Sequence, residues 1–500
     1  MQRRLAVWSL VVTTLVLATV VASGSFAALK RTTSITTKRS TTTATTTGAT
    51  LPSRLPVQQL KIMNYYPADD GWTNMWTSYS HDKTVSDFQA IASLGANTVR
   101  IIVAPAAMGY PTVTSTRLAE FRDMLAVASA QGLSVQLTLF DMWHNYTDIT
   151  GSQQWLNSLL SGQAKNPTIA LVELQNELPL GTSGALTWAG RLLPQLSTLL
   201  PGVPRTVSAS GSSGIAGIVQ LISSLTTSKL DVVDVHYYGD AAGAANTLQA
   251  AIAHAQGLPV IVGEAGLSTV DGAAGEEAQA RFYRMLARIT QSLGIPPAAP
   301  WILSDFTSDA IPYAAAPTEY HYGLRRLDGT WKPASDVVRD AFAGWVNSDW
   351  DGSFEREVNG GTRLGSWTAF DATDGLGFVT SLIARSGQRS MCFNHTGGSS
   401  AAVPSVEQAF PVMTSGQTVT ASGYVFRYQA TGLERISLAW FDASGHYLGQ
   451  NESPYTTLTN AWVPLSVSAS APAGATTVQV HLKAAYESGY GCFDDIAVSW

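Results

Sequence analysis

The sequence predicts an α/β protein of two domains, a (β/α)8 TIM barrel followed by an all-β jelly-roll sandwich. At 500 residues the chain is longer than one typical domain. Between residues 55 and 347, short apolar runs of strand length alternate with segments of helical periodicity. After Trp345 the helical periodicity stops, and short alternating segments with Gly, Asn and Asp turns follow. The second domain is therefore expected over residues 352–500, with strands spaced as in a sandwich or jelly roll.

Composition restricts the partners that the chain can have. Charged residues make up 13% of the sequence, against roughly 25% in an average domain. The formal net charge of −6 gives no electrostatic footprint for nucleic acid or an anionic membrane. A neutral polar partner, such as a polysaccharide, suits this surface better, and we expect a monomer.

The first 54 residues precede the barrel pattern. Residues 1–27 combine a basic start, an uncharged apolar run at Leu5–Ala22 and small residues at Ser25–Ala27, which is typical of a secretory signal peptide. An uncleaved membrane anchor is the alternative, because the apolar run is just long enough to span a bilayer. Residues 28–54 are Thr-rich and cannot build a core, so they predict a disordered linker. The chain is therefore expected to be extracellular, and membrane-associated only if the first segment stays attached.

Eight strands and the helices between them account for residues 55–347. The strands are predicted at 59–64, 97–103, 133–140, 169–174, 206–209, 230–235, 259–262 and 300–303. The clearest helical patterns lie at Ala185–Leu199, Ala273–Leu293 and Ala334–Trp345. A (β/α)8 barrel typically needs about 250 residues, with loop insertions added, so the length fits.

Two carboxylates stand at the C-terminal ends of predicted strands, where barrels of this kind carry their chemistry. Glu177 follows strand four and Glu264 ends strand seven, a separation of 264 − 177 = 87 residues or three βα units. Both side chains should project from opposite sides into one depression, here called the bowl, at the C-terminal face of the barrel. On its own, Glu177 would be interpreted as a polar residue at the end of a strand or as a helix cap. Paired across a cleft, the two supply the acid and the nucleophile or base that cleavage of a glycosidic bond requires.

Other residues of the predicted bowl agree with this chemistry. Strand alternation places His236 and Tyr238 on the same face. Arg100 lies inside strand two, where a buried cation needs a carboxylate partner, and Glu173 is interpreted as a supporting carboxylate. Trp301 on strand eight offers an aromatic face for a sugar ring. Four further tryptophans are candidates to extend that platform or to pack in the core: Trp72, Trp76, Trp143 and Trp155.

These motifs, in this order, resemble glycoside hydrolase family 5 and its neighbours in clan A. The matching segments are Gly95–Arg100, Glu173–Glu177, His236–Tyr238, Gly263–Glu264 and Trp301. The resemblance implies that Glu177 is the acid/base and Glu264 the nucleophile. It further implies that Asn176 binds a sugar hydroxyl and that Trp301 forms the floor of the subsite in which the sugar is attacked. Arg100 and Tyr238 would orient Glu264.

Two features depart from the family pattern. The family usually has a His at the end of strand three, where this chain has Phe140–Trp143 and a later His144. The Pro expected directly after Asn-Glu is displaced to Pro179. Neither departure touches the two carboxylates, so hydrolysis is still expected. They leave open which substrate the chain acts on.

Residues 352–500 resemble carbohydrate-binding modules of families 4 and 9, and a purely structural sandwich is the alternative. Cys392 and Cys492 are the only cysteines, and each lies in a strand-like segment of a chain that is predicted to be exported, so we expect one disulfide. Glu355 and Asp495 match positions at which related modules bind calcium, which implies a structural calcium site; a pair of turn carboxylates is the alternative.

The sequence thus predicts a secreted retaining β-glycoside hydrolase that needs no cofactor for catalysis. An endo-β-1,4-glucanase is the first expectation, and an endo-β-1,4-mannanase or another β-glycosidase of the clan is the second. A non-catalytic polysaccharide-binding surface protein is the alternative of another class. Retention predicts that the carboxylates of Glu177 and Glu264 lie about 5–5.5 Å apart.

Overall fold

The computed structural model describes residues 54–210, 213–225, 227, 230–344, 351–355, 367–370, 377–395, 404–485 and 489–500. The predicted signal peptide and all of the predicted linker except Arg54 lie outside these residues. Arg54 itself binds the barrel, because its guanidinium donates to the carbonyl oxygens of Asn166 and Ile169 at 3.2 and 3.1 Å. Among the described residues, no helix has both the length and the apolar character needed to cross a membrane.

Parallel strands form the first domain. They are β1 (Ile62–Asn64), β2 (Thr98–Ile102), β3 (Ser134–Thr138), β4 (Ile169–Glu173), β5 (Arg205–Thr206), β6 (Ser208–Ala209), β7 (Val233–Tyr237) and β8 (Val260–Ala265). The order is β1-β2-β3-β4-β5 in one sheet and β6-β7-β8 in the other. Since only Val207 separates β5 from β6, the two are halves of the predicted fifth strand.

Segment 299–303 closes the barrel. The backbone N–H of Ala265 donates to the carbonyl of Ala299 at 2.9 Å, and that of Trp301 donates to Ala265 at 2.8 Å. On the other side, Leu303 donates to the carbonyl of Asn64 at 3.3 Å. The last predicted strand therefore joins β8 to β1, and the (β/α)8 prediction is confirmed.

Helices surround the strands. They are α1 (Asn74–Thr77), α2 (His81–Ser93), α3 (Pro105–Met108), α4 (Ser115–Ala130), α5 (Ile149–Leu160), α6 (Ala185–Leu199), α7 (Gly214–Leu225), α8 (Ala244–His254), α9 (Ala273–Ser292) and α10 (Ala334–Ala343). The N-termini of α2, α4 and α5 are capped by the side chains of Ser80, Thr114 and Asp148, which accept hydrogen bonds from backbone N–H groups of the first turn. The predicted bounds of α6 agree with the structure.

Antiparallel strands form the second domain. They are β9 (Thr368–Phe370), β10 (Gly377–Thr380), β11 (Ser390–His395), β12 (Ser405–Pro411), β13 (Thr418–Tyr428), β14 (Leu433–Phe441), β15 (Tyr447–Glu452), β16 (Trp462–Ser470), β17 (Thr477–Ala485) and β18 (Gly489–Ser499). They make two five-stranded sheets, β10-β11-β18-β13-β16 and β15-β14-β17-β12-β9. Buried side chains of both sheets share one hydrophobic core, as in a β-sandwich.

Cys392 and Cys492 form the predicted disulfide. They lie directly opposite each other on β11 and β18, with Cα atoms 3.9 Å apart. Both are buried, and the bond ties two neighbouring strands whose cysteines are 100 residues apart in the sequence.

The barrel and the sandwich pack against each other through α9 and β12. The buried guanidinium of Arg288 lies 3.7 Å from the ring centroid of Phe410 and donates hydrogen bonds to the side chain of Gln408 and the carbonyl of Ala409. On α8, Gln249 donates to the carbonyl of Met413 at 3.0 Å. The second domain thus supplies two hydrogen-bond acceptors and a ring face to the buried guanidinium of Arg288.

Candidate active site

A cavity of about 410 Å³ opens at the C-terminal ends of the barrel strands. Glu264 reaches it from within β8, and Glu177 reaches it from the loop after β4. The side chain of Glu264 is 5% exposed and that of Glu177 is 31% exposed. The cavity is lined by Trp72, Asp141, Met142, Asn176, Glu177, Ser210, Tyr238, Glu264, Trp301, Tyr313, Glu319 and Tyr322.

The two carboxylates approach each other around His236. Nδ1 of His236 lies 3.2 Å from Oε1 of Glu177 and 3.5 Å from Oε2 of Glu264. One oxygen of each carboxylate and one nitrogen of His236 all lie within 4.8 Å of one another. The spacing is that of groups that can act on the same bond.

Arg100 and Tyr238 hold Glu264 from two sides. Nη1 of Arg100 donates to Oε1 of Glu264, and the hydroxyl of Tyr238 donates to Oε2 at 2.7 Å. Arg100 is fully buried, and the amide oxygen of Asn64 on β1 accepts from the same Nη1 at 2.9 Å. The contacts that the sequence predicted for Glu264 are therefore present, whereas Asn64 carried no signal in the sequence.

Glu173 neutralises the other face of Arg100. Oε2 of Glu173 accepts from Nε and Nη2 of Arg100 at 2.9 and 2.7 Å, and from the hydroxyl of Thr138 at 2.7 Å. Burial alone would raise the pKa of Glu173, but the charges of Arg100 and His236 outweigh burial and lower that pKa. Glu173 lies beneath the cavity and does not line it, which fits a supporting carboxylate.

His236 carries a proton that its surroundings stabilise. Burial of the ring disfavours the charged form, but the charge of Glu264 and the hydrogen bond with Glu177 prevail and raise the pKa of His236 to about 9. The group is thus charged at neutral pH and lies against both carboxylates. The sequence placed His236 in the bowl but gave no sign that it would be the cation next to Glu177.

The Asn176–Glu177 turn presents both side chains to the cavity. Asn176 accepts from Nη2 of Arg100 at 2.8 Å and donates to Oδ1 of Asp141 at 3.3 Å. Glu177 has a φ of +47°, and its backbone N–H donates to the hydroxyl of Ser208 at 2.9 Å. A positive φ is costly for a side chain of this size and is often found at functional sites. The fixed backbone places the carboxylate over the cavity.

Trp301 forms one wall of the cavity, and Trp72 packs next to it with ring centroids 6.1 Å apart. The predicted platform does not extend further along the tryptophans. Trp76 and Trp155 are fully buried in the core, and Trp143 packs against neighbouring aromatic rings without lining the cavity. Spacing in the sequence could not separate these roles, because both core and cavity positions favour an aromatic side chain.

Loop residues that the sequence did not single out complete the cavity. Asp141 follows β3 and lines the cavity, and burial is the main cause that raises its pKa to about 6. Tyr313, Glu319 and Tyr322 come from the long loop after segment 299–303. Loops lack periodicity, so no pattern in the sequence could have brought these side chains to the site.

Glu355 and Asp495, the predicted calcium ligands, are both engaged with protein donors. Oε1 of Glu355 accepts from the backbone N–H groups of Gln388 and Arg389 at 2.6 and 2.8 Å. Asp495 forms an ion pair with Arg385 at 2.5 Å. A guanidinium beside Asp495 opposes a second cation there, and the calcium site remains a prediction.

Comparisons with known proteins give structural likenesses only. Neither a scan against protein-family models nor a search of curated proteins finds a match. Among solved structures, the exo-β-1,4-mannosidase Op5Man5 from Opitutaceae bacterium strain TAV5 is 19% identical, with a TM-score of 0.48 over 57% of this chain and 59% of that one. The present chain therefore spans less than two thirds of that protein's length.

Two further matches are proteins named GH5_18. The protein from Streptomyces cattleya, in complex with GlcNAc, is 19% identical, with a TM-score of 0.46 over 58% of this chain and 81% of that one. The protein from Bifidobacterium longum subsp. infantis is 17% identical, with a TM-score of 0.49 over 61% and 81%. At such identities and TM-scores, the function of this chain must be argued from its own site.

Proposed function

We propose that the chain is a β-glycoside hydrolase that acts by double displacement with retention of configuration. The observation that carries the proposal is the approach of Glu177 and Glu264, whose carboxylates have oxygen atoms within 4.8 Å of each other across the cavity. Retaining enzymes need carboxylates about 5–5.5 Å apart, whereas inverting enzymes need about 6.5–9.5 Å to admit a water molecule. The close approach supports direct attack by one carboxylate.

Glu264 is the proposed nucleophile. Arg100 and Tyr238 hydrogen-bond its two oxygens and hold the carboxylate in one orientation, which attack on the anomeric carbon requires. Its position within β8 fixes the carboxylate on a rigid element, which suits a group that must meet the sugar in one orientation. The bond from the anomeric carbon to the leaving oxygen breaks as the bond to Glu264 forms.

Glu177 is the proposed acid and base. It is the more exposed of the two carboxylates, as expected for a group that meets the leaving oxygen and later a water molecule. Because the pKa of His236 is raised to about 9, the touching pair of His236 and Glu177 holds a proton at neutral pH. In the first step a proton passes from Nδ1 of His236 through Glu177 to the leaving oxygen. In the second step Glu177 takes a proton from water, which returns the pair to its starting state.

A short substrate, or the end of a chain, suits the cavity better than the middle of a long polymer. The volume of about 410 Å³ lies toward the low end of small-molecule sites, which span about 300–1,000 Å³. Only Trp72 and Trp301 of the five candidate tryptophans line it. These observations weaken the endo-glucanase prediction, which needs an extended cleft. We therefore propose a β-glycosidase that removes a terminal sugar, with β-mannosides and β-glucosides as the first substrates to test.

The test is a panel of 4-nitrophenyl β-glycosides with different sugars, followed by NMR of the first product. Wild-type protein should release 4-nitrophenol from at least one member and give a β-configured sugar first. Glu264→Gln should abolish release. Release by Glu264→Gln at the wild-type rate, or an α-configured first product, would refute the assignment.

A non-catalytic sugar-binding protein remains the alternative of another class. It would bind members of the same panel in calorimetry without releasing 4-nitrophenol. The close approach of the Glu177 and Glu264 carboxylates argues against it, because a binding cleft needs hydrogen-bonding groups but has no use for a paired nucleophile and acid.

The sandwich offers a separate surface for sugar binding. Alternation along β13 places Phe426 and Tyr428 on the outer face of its sheet, where Tyr428 lies 6.5 Å from the ring of Tyr490 on β18. Tyr428→Ala should weaken retention of the full chain on insoluble polysaccharide. Tyr447→Ala, at an exposed ring on the opposite sheet, is the matched control. Equal retention of both variants and the wild type would favour a structural sandwich.

The disulfide and the signal-like start of the sequence support an extracellular site of action.

A further inference from the structure

The cavity carries an unusual balance of charge. Four of its lining residues are carboxylic acids, and none of the twelve is Lys, Arg or His. The two nearby cations, Arg100 and His236, are buried behind Glu264 and Glu177 and hydrogen-bond to them. Asp141 and Glu319 are therefore acids of the cavity that the proposed double displacement does not use.

Glu319 is placed to meet a bound sugar. It belongs to a single 3-10 turn, Pro317–His321, in the loop after segment 299–303. Its Oε1 accepts a hydrogen bond from Nε1 of Trp301 at 3.4 Å, so the carboxylate lies at the edge of the proposed sugar platform. Glu319 lines the same cavity as Glu177 and Glu264. Burial, and then the charges of Glu264 and Glu177, raise the pKa of Glu319.

Among the described residues, Glu319 forms no ion pair with Lys, Arg or His, and its hydrogen-bond donor is the indole N–H of Trp301. A partly buried carboxylate without a cation is stabilised by hydrogen-bond donors, and the hydroxyl groups of a sugar are such donors. A second carboxylate brought by the sugar would instead be repelled by several like charges at close range.

We propose that Glu319 is a specificity-determining residue that accepts a hydrogen bond from a hydroxyl group of a neutral sugar, and that the cavity excludes sugars bearing a carboxylate. This inference rests on the proposed glycosidase function and names the substrate class of the same cavity. Glu319 selects the sugar, whereas Glu177 and Glu264 act on its glycosidic bond.

The variant Glu319→Gln isolates the charge, because a glutamine oxygen can still accept the hydrogen bond from Trp301. Hydrogen bonds to charged groups are stronger than neutral ones by an amount that corresponds to about a tenfold change in binding. We therefore expect Glu319→Gln to lower kcat/KM about tenfold on the best neutral 4-nitrophenyl β-glycoside. The matched control is Asp309→Asn, which removes one charge from an exposed position of the same loop that does not line the cavity. It should leave kcat/KM unchanged.

The second arm compares 4-nitrophenyl β-glucoside and β-mannoside with the β-glucuronide. Wild-type protein should hydrolyse a neutral member and show no turnover of the glucuronide. Turnover of the glucuronide at a comparable rate would overturn the inference. So would a kcat/KM for Glu319→Gln within twofold of the wild-type value.

Binding distinguishes failure of this inference from failure of the proposed function. If no glycoside is hydrolysed, the proposed function fails, and calorimetry with methyl β-glucoside, methyl β-mannoside and methyl β-glucuronide then decides the inference. Binding of a neutral sugar that is about tenfold weaker in Glu319→Gln, with no binding of the glucuronide, would support it. Binding of the glucuronide, or of none of the three, would contradict it.

Discussion

The proton on His236 gives a prediction whose size follows from the structure. The ring is buried against Glu177 and Glu264, and its pKa is raised from 6.5 to about 9. At pH 7.5 a group with that pKa is protonated in about 97% of molecules, against about 9% for an unperturbed histidine. His236→Gln removes this proton and should weaken proton delivery by Glu177.

The same shift makes stability depend on pH. Because the folded-state pKa lies above the unfolded value, the stabilisation is fully present below about pH 6.5 and is lost as pH rises through about 9. A difference of about 2.5 units corresponds to about 3 kcal/mol at 1.36 kcal/mol per unit. Wild-type protein should therefore lose about 3 kcal/mol more between pH 6 and pH 9.5 than His236→Gln does.

Guanidinium chloride unfolding at pH 6, 7.5 and 9.5 measures this difference directly. His144→Gln is the matched control, because His144 is exposed on the loop after β3 and should leave the wild-type pH dependence intact. In activity assays, kcat/KM of the wild type should fall on a basic limb near pH 9. Equal pH dependence of stability in the wild type and His236→Gln would refute the reasoning.

Three further outcomes are expected. Glu177→Ala should keep the first step on substrates with an activated leaving group, and azide should restore turnover with a β-configured product by NMR; an α-configured azide product would count against the acid/base role. Mutating Cys392 and Cys492 to Ala should lower stability by up to about 4–5 kcal/mol in the chain-entropy model, and an unchanged denaturation midpoint would contradict it. Trp301→Phe should reduce kcat/KM with little change in melting temperature. Trp76→Phe should lower the melting temperature with little change in kcat/KM, because the indole N–H of Trp76 donates to the carbonyl of Ile102 in the core. Equal effects of the two variants on both measurements would refute these separate roles.

Much of the barrel could be predicted because its elements carry strong local patterns. Helix α6 has the predicted bounds Ala185–Leu199, since its apolar face repeats with helical spacing over four turns. Strand boundaries have weaker local patterns. β7 extends to Tyr237 although His236 is ionisable, because two carboxylates compensate its charge inside the barrel. A compensating partner 59 residues away in sequence is not visible from local hydropathy.

The pairs that define the site were predictable only through topology. Glu177 and Glu264 could be placed in one bowl because parallel strands of a barrel expose their C-terminal ends on the same side. The sequence predicts that Arg100 pairs with a carboxylate, and the structure identifies its partners as Glu173 and Glu264. By contrast, Glu319 arrives on a loop whose path depends on packing against Trp301, which no periodicity encodes.

The most direct test of the proposed mechanism is to trap the covalent intermediate. A 2-deoxy-2-fluoro β-glycoside of the best sugar, carrying a good leaving group, should inactivate the wild-type protein by accumulating the glycosyl-enzyme. Peptide mass spectrometry should then locate the sugar on Glu264. A sugar attached to Glu177 instead, or continued turnover without any adduct and with inversion at the anomeric carbon, would contradict the assignment of Glu264 as the nucleophile.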